Sequence, residues 1–326
     1  MRAVQLKRFG DPDVLQIVEI PKPAPGPEEV LIRSHAAGVN FFEVLMRANR
    51  YAVTPELPMI LGVEAAGVVE AVGPQVDASL LGKRVATPLF MSKRPYGGYA
   101  DHVKIDAHLA VPLPDDLAFD QATALMVQGL TALHLLRQSP PEGKSILINA
   151  ASGGVGTLLI QLAKRAGARQ VIAAAGSSSK LDLVSSLGAD VGIDYCSPDW
   201  PARTREASGG AGVDIVYDIV GGAMTAAALD ALAPGGELVF GAMGRFALET
   251  AQLEAMLAAN QSLKGFALLP LLSPERLRSD LGELFQMVST GELKVVLGER
   301  YPLDRASEAH RAIEERRSSG KVVLVP

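Results

Sequence analysis

The chain has 326 residues, 48% hydrophobic and 21% charged, with a formal net charge of −5. That balance describes a globular protein with a substantial core and length enough for two domains, and it argues against a basic surface built for nucleic acid. The single cysteine, Cys196, excludes an intramolecular disulfide and fits a reducing compartment.

Residues 1–10, MRAVQLKRFG, carry no apolar stretch after their charges, so a signal peptide is not expected. The first third is rich in short strand patterns: Val30–Ser34, Gly67–Val72 and Tyr99–Ile105 alternate or run apolar between turn residues. The proline-rich stretch 21–27 reads as a stiff surface connection, because each proline fixes φ and removes a donor. Together these strands suggest a small barrel-like unit, ending near Pro112–Asp120.

The middle of the chain changes character. Strand runs at Ser145–Asn149, Gln170–Ala175, Asp214–Tyr217 and Glu237–Phe240 alternate with helical segments, which predicts a parallel sheet with helices on both faces. Ser145–Asn149 is followed at once by Ala151-Ser152-Gly153-Gly154-Val155-Gly156. Thr157 to Ala166 then places Leu158, Leu159, Leu162, Ala163 and Ala166 on one helical face. A strand, a glycine turn and a helix N-terminus make a pyrophosphate site: small residues let the backbone approach, and the helix end offers free N–H groups. The least charged stretch, Ser145 to Ala163, is broken by Asn149, Ser152 and paired glycines, so no membrane span is expected there. A cytoplasmic enzyme is the expectation.

NAD sites place an acid at the end of the second strand, on the ribose 2′-hydroxyl. Here that strand ends in Gly176-Ser177-Ser178-Ser179-Lys180, with no acid. Hydroxyls and a lysine suit a 2′-phosphate, each charge-assisted hydrogen bond contributing about 1.5–3 kcal/mol. NADPH is therefore the expected cofactor; the alternative is that Lys180 is one more exposed lysine opening a helix. Ligands of open α/β sheets lie beyond the carboxyl ends of strands, which points to Val220, Gly221 and Gly222 and to Gly241, Ala242, Met243 and Gly244. Beyond about residue 262 the pattern breaks. Glu275–Ser289 reads as a helix and Gly320–Val325 as a last strand, expected to return to the first domain.

Six motifs occur in order: Gly38-Val-Asn-Phe-Phe-Glu43, the run from Gly62-Val-Glu to Gly73, Gly82-Lys-Arg-Val85, Gly97-Gly-Tyr-Ala-Asp101, Gly129-Leu-Thr-Ala132 and Ala151–Gly156. With these the chain resembles the medium-chain dehydrogenase/reductase superfamily over nearly its whole length. The branch is the zinc-independent one, with NADPH quinone oxidoreductases of the zeta-crystallin type and related enoyl reductases. The resemblance implies an α/β fold: a Rossmann-type doubly wound parallel sheet at 122–262, and a β-rich GroES-like catalytic domain at 1–121 and 263–326. It implies a homodimer through edge strands near Glu237–Phe240.

The resemblance also assigns roles. Lys180 and Tyr195, with Gly176 and Ser177, match positions that hold the 2′-phosphate. Gln128 and Thr131 match a segment expected to touch cofactor or substrate. Phe266, Ala267 and Leu268 match a segment beside the nicotinamide, or else pack as hinge-region core. Asn40 stands where zinc enzymes of the superfamily carry a catalytic cysteine, and Val63 where they carry a zinc-binding histidine. No metal is expected, since the five histidines are scattered and lack ligand spacing. Asn40 is expected to face the substrate cleft and donate to a substrate oxygen. Tyr51 matches a cleft tyrosine that donates a hydrogen bond or proton, or is a half-buried packing residue. Phe41, Phe42 and Met46 are candidate apolar walls, and Arg47 a solvated helix residue.

Without a metal, an unactivated ketone is a poor hydride acceptor, whereas a quinone or an α,β-unsaturated carbonyl is already electrophilic. The expected function is an NADPH-dependent reductase of such small molecules. The alternatives are an enoyl-thioester reductase and an NADPH-binding sensor or structural protein without physiological turnover.

Overall fold

The computed structural model describes residues 1–326. The chain divides into two compact units, residues 1–130 with 272–326 and residues 131–271. Both division points fall later than the sequence pattern placed them. The reason lies in local packing. A short helix at 119–124 lies on the first unit's main sheet, and a fourth-to-sixth strand series in the second unit continues to residue 265.

The first unit opens with β1 (Arg2–Leu6) and β2 (Leu15–Glu19), then β3 (Glu29–Val39), α1 (Phe41–Arg47), β4 (Met59–Ile60) and β5 (Ala65–Val72). It continues with β6 (Arg84–Thr87), β7 (His102–Asp106), β8 (Val111–Pro112) and α2 (Phe119–Ala124). A π turn, Leu125–Gly129, follows directly. β1 pairs with β2 and β4 in a small antiparallel sheet. β3 is the spine of the larger sheet, antiparallel to both β5 and β7. Its residues Val30, Leu31, Ile32, Ala36, Ala37 and Val39 are all buried, which is why this strand runs longer than its neighbours.

The second unit begins within α3 (Leu130–Gln138). Then come β9 (Ser145–Ile148), α4 (Gly154–Arg165), β10 (Gln170–Ala175), α5 (Ser178–Ser186), β11 (Val191–Asp194) and α6 (Trp200–Ala207). β12 (Val213–Asp218), α7 (Ala223–Asp230), β13 (Leu232–Phe240), α8 (Thr250–Ala258) and β14 (Ser262–Gly265) complete it. All six strands are parallel, in the spatial order β11-β10-β9-β12-β13-β14. Counted along the chain this is the doubly wound dinucleotide-binding order, whose direction reverses between β9 and β12. The central strands are covered on both faces, so Ile146, Leu147, Ile148, Val171, Ile172 and Ala173 have no exposed surface.

The first unit resumes with α9 (Pro274–Ser289), β15 (Leu297–Pro302), α10 (Ala306–Glu314) and β16 (Lys321–Val325). β16 pairs antiparallel with β3, so the last strand joins the main sheet. No helix is long and apolar enough to cross a membrane.

Candidate active site

The turn between β9 and α4 lies at the point where the second sheet reverses its order, so a ligand there has strands on one side and a helix end on the other. Gly153 caps α4, and the first-turn N–H groups of Gly154, Val155 and Gly156 are those a helix leaves without intrahelical partners. The turn is tight. A Cβ on Gly156 would stand 2.5 Å from Ala151 O, so only glycine lets helix and strand approach this closely. Ala151 takes the first glycine position without a positive φ; the left-handed residue is its neighbour Ala150, at φ 50°. Ala151 and Ser152 are buried. Beneath the turn, Asn149 is fully buried with neither amide atom hydrogen-bonded.

The end of β10 gathers the predicted 2′-phosphate residues. Ser177 caps α5 and accepts the Lys180 N–H at 3.4 Å. Tyr195 follows β11 and lies over Gly176, where a Cβ would be 2.7 Å from its Oη. Gly176, Ser177, Lys180 and Tyr195 therefore share one corner. The acid in closest register, Asp194 beside Ala175, turns Oδ1 to the Cys196 N–H at 2.9 Å.

The turns after β12 and β13 are tied to each other. Asp218, fully buried, accepts the Val220 N–H at 2.8 Å and the Gly221 N–H at 3.2 Å, and its other oxygen takes the Thr225 hydroxyl. Gly241 N–H bonds Asp218 O at 2.8 Å, and Arg245 Nε bonds Val220 O at 2.6 Å. Ala242 is buried beside them. Phe266 N–H bonds Phe240 O at 2.8 Å, and its ring lies against Gly241, with Leu268 half-buried two residues on. Val220, Gly241, Ala242 and Phe266 are thus one local cluster at the carboxyl edge of the sheet.

In the first unit the polar side chains converge on a buried network. Lys321 and Glu64, both fully buried, form an ion pair. Asn40 lies between them: its Oδ1 accepts from Lys321 Nζ at 2.9 Å, and its Nδ2 donates to Glu64 Oε1 at 2.9 Å and Glu43 Oε2 at 3.2 Å. Glu64 Oε2 accepts the Val127 N–H at 2.8 Å. Glu43 accepts the N–H groups of Asn40 at 2.7 Å and Val63 at 3.0 Å. Burial, and then the nearby Glu64 charge, push the Glu43 carboxyl up to about 7. Tyr99 Oη stands 3.3 Å from Glu43 and 3.2 Å from His310 Nε2. Burial, helped by the Arg47 charge, drives His310 down to about 3, so its ring is neutral at physiological pH.

This geometry corrects several expectations. Asn40 is only 3% exposed and its amide hydrogens point at carboxylates, so it is not placed to donate to a substrate oxygen. Arg47 is not solvated: it is 1% exposed and paired with Glu314 at 2.7 Å. Met46 is likewise core, whereas Phe41 is exposed. Tyr51 is half-buried, its ring 5.6 Å from that of Phe42, and burial raises its phenol above the usual value, with the Tyr96 charge adding to it. Gln128 sits in the π turn with its Oε1 buried and unpartnered, and Thr131 lies in the first turn of α3. The edge expected for dimerisation also moves. β13 is flanked by β12 and β14, so Glu237–Phe240 is interior and β14 is the edge.

Comparison with known proteins places the chain. The alcohol dehydrogenase GroES-like domain family matches residues 26–115, and the zinc-binding dehydrogenase family matches residues 187–324. A quinone oxidoreductase from Pseudomonas aeruginosa is 36% identical, covering 100% of this chain and 99% of its own. The chain belongs to the quinone oxidoreductase family of medium-chain dehydrogenases/reductases. A 2-haloacrylate reductase from a Burkholderia species is 33% identical over 99% of this chain and 98% of its own. The Escherichia coli quinone oxidoreductase, solved in complex with NADPH, superposes with a TM-score of 0.91 at 32% identity, over all of both chains.

Although one matching family carries zinc in its description, no group of three or more His, Cys, Asp or Glu side chains is arranged here to hold a metal ion. Val63 is buried and contributes its backbone to Glu43. In the sequence, Glu43 and Glu64 fall within the family motifs and Lys321 within the last strand, and none of the three carries an expected role. The available signal was a charge embedded in an apolar run, at Gly62-Val-Glu64-Ala-Ala and at Gly320-Lys321-Val-Val-Leu. Such charges are rarely fully buried unless paired.

Proposed function

We propose that the protein is an NADPH-dependent reductase delivering hydride to a quinone or an α,β-unsaturated carbonyl. The observation that carries this reading is the corner made by Gly176, Ser177, Lys180 and Tyr195, which pairs a lysine and hydroxyls with an acid-free strand end. The orphaned Oε1 of Gln128, the free N–H groups at Gly154–Gly156 and the unfilled Asn149 amide fit a dinucleotide with phosphate acceptors and amide donors. NADPH supplies the hydride. The first-turn N–H groups of α4 would hold its pyrophosphate, and Lys180, Ser177 and Tyr195 its 2′-phosphate. Val220, Gly241, Ala242, Phe266 and Leu268, with Thr131, would line its nicotinamide end.

Tyr51 takes the catalytic role. Its raised phenol stays protonated at neutral pH and can donate to the oxyanion that develops as the acceptor is reduced. Asn40 becomes a positioning residue, because its amide is committed to Glu64, Lys321 and Glu43. The protein would form homodimers through β14, beside which Leu257 is 76% exposed and Leu253 and Leu263 also face solvent. A reducing, cytoplasmic setting accords with one exposed free cysteine.

The test is oxidation of NADPH followed by absorbance against benzoquinone, phenanthrenequinone, a simple enone, 2-chloroacrylate and crotonyl-CoA. Turnover of a quinone, the enone or the haloacrylate supports the reading. Turnover of crotonyl-CoA alone replaces it with an enoyl-thioester reductase. Tight NADPH binding without turnover of any of them replaces it with a binding protein.

A further inference from the structure

The Glu64–Lys321 pair is costly to bury, since desolvating two charges often offsets their attraction, and an apolar pair of similar size is frequently as stable. Stability alone therefore does not explain it. What sets Glu64 apart is its second oxygen. Within a helix the Val127 N–H would bond the carbonyl four residues back. Instead it donates to Glu64 Oε2 at 2.8 Å. A side chain inserted into the helical ladder in this way is a recognised cause of a local change in winding. The residues affected, Leu125–Gly129, form the π turn, with the Leu130 N–H reaching Leu125 O. Gln128 is next in the chain after Val127, and its Oε1 is buried with no donor.

We propose that Glu64 is a positioning residue that holds Gln128 for ligand binding by capturing the Val127 N–H and so setting the π turn. Lys321 and Asn40 keep the Glu64 carboxylate aimed: Lys321 Nζ and Asn40 Nδ2 both engage Oε1, which leaves Oε2 for Val127. The group Gln128 then receives is an N–H donor, of the kind an amide on NADPH carries. This rests on the reading above that Gln128 meets the cofactor.

The experiment separates the two. A Glu64→Leu/Lys321→Met double variant removes both buried charges together and so avoids an unpaired one. A Glu64→Gln/Lys321→Met variant keeps an amide oxygen for Val127, and its NH2 can donate to Asn40 Oδ1. In the ligand-free protein, amide hydrogen exchange at Val127 should rise at least about tenfold in the Leu/Met variant and stay near wild type in the Gln/Met variant. The Kd for NADPH should rise about tenfold in the Leu/Met variant, about tenfold in Gln128→Ala, and no further when the two are combined, with recovery in the Gln/Met variant. Unchanged Val127 exchange in the Leu/Met variant, or full additivity with Gln128→Ala, overturns the positioning role. An unchanged Kd in Gln128→Ala, with faster Val127 exchange in the Leu/Met variant, overturns the cofactor reading and leaves Glu64 as the residue that sets the turn.

Discussion

Glu43 makes this fold less stable as pH rises through neutrality. Its carboxyl is fully buried and is pushed from an ordinary value of 4.5 up to about 7 by that burial and by the Glu64 charge. The unfolded chain therefore loses this proton near pH 4.5, whereas the folded chain holds it until about pH 7. Stability from this group is fully present below about 4.5 and is lost as pH climbs through about 7, because the folded state binds the extra proton in between. The full interval of about 2.5 units corresponds to about 3 kcal/mol, most of it between about pH 5 and pH 8. Glu43→Gln removes the titration but has its own cost. One of the N–H groups of Asn40 and Val63, which now bond the two carboxylate oxygens, would face an amide NH2. An orphaned buried donor costs about 1–3 kcal/mol. The variant should thus be less stable than wild type near pH 5 and converge on it by about pH 8. Denaturant midpoints of both proteins across that range give the result directly. Parallel stability curves for the two proteins would refute the buried proton on Glu43.

Three further outcomes follow from the candidate site. Lys180→Ala should raise the KM for NADPH about ten- to a hundredfold and that for NADH less than about twofold, since the lost contact is charge-assisted; equal effects in steady-state kinetics would remove the phosphate assignment. Gly156→Ala places a Cβ 2.5 Å from Ala151 O, so titration calorimetry should show NADPH binding weakened at least about tenfold, together with a lower melting temperature. Tyr51→Phe keeps the ring packed near Phe42 and loses only the hydroxyl, so kcat should fall about a hundredfold with little change in melting temperature or NADPH KM.

The second unit was largely legible in the sequence because its signals are local. The apolar run of β9, the glycine turn and the face of α4 lie within about twenty residues, and the central strands β9, β10 and β12 are buried on both faces. The first unit was legible as β-rich but not in its pairings. β1, β2 and β4 are short and form their own sheet, and β15 is mostly exposed or half-buried, so neither periodicity nor burial announces them. The site residues failed in the same physical way. Asn40 meets Lys321 across 281 positions, and Arg47 meets Glu314 across 267. Of the partners of the Asn40 amide only Glu43 is close in the chain, while Glu64 and Lys321 lie 24 and 281 positions away. Nothing near Arg47 supplies the carboxylate that permits its burial. The sheet edge moved for a related reason: β14 is four residues of mixed polarity, Ser262-Leu-Lys-Gly265, and only its register beside β13 identifies it as the outermost strand.

The occupied network bears on which acceptors this protein can reduce. A weakly electrophilic carbonyl needs strong stabilisation of the oxyanion left by hydride addition, supplied elsewhere by a metal or by a cation at the oxygen. Here the one buried ammonium, Lys321, is neutralised by Glu64 and fully enclosed. Arg47 is paired with Glu314, and the Asn40 amide is held by two carboxylates. What remains among the predicted catalytic groups is a neutral phenol, Tyr51, made less acidic by its surroundings. A single neutral donor, worth about a hundredfold in rate or about 2.7 kcal/mol, brings no charge to set against the oxyanion as a metal ion does. The acceptor must then carry its own activation. Conjugation does this in an enone, and aromatisation does it in a quinone. The arrangement that takes Asn40 away from the substrate is therefore the same one that narrows the chemistry to acceptors able to delocalise the arriving charge.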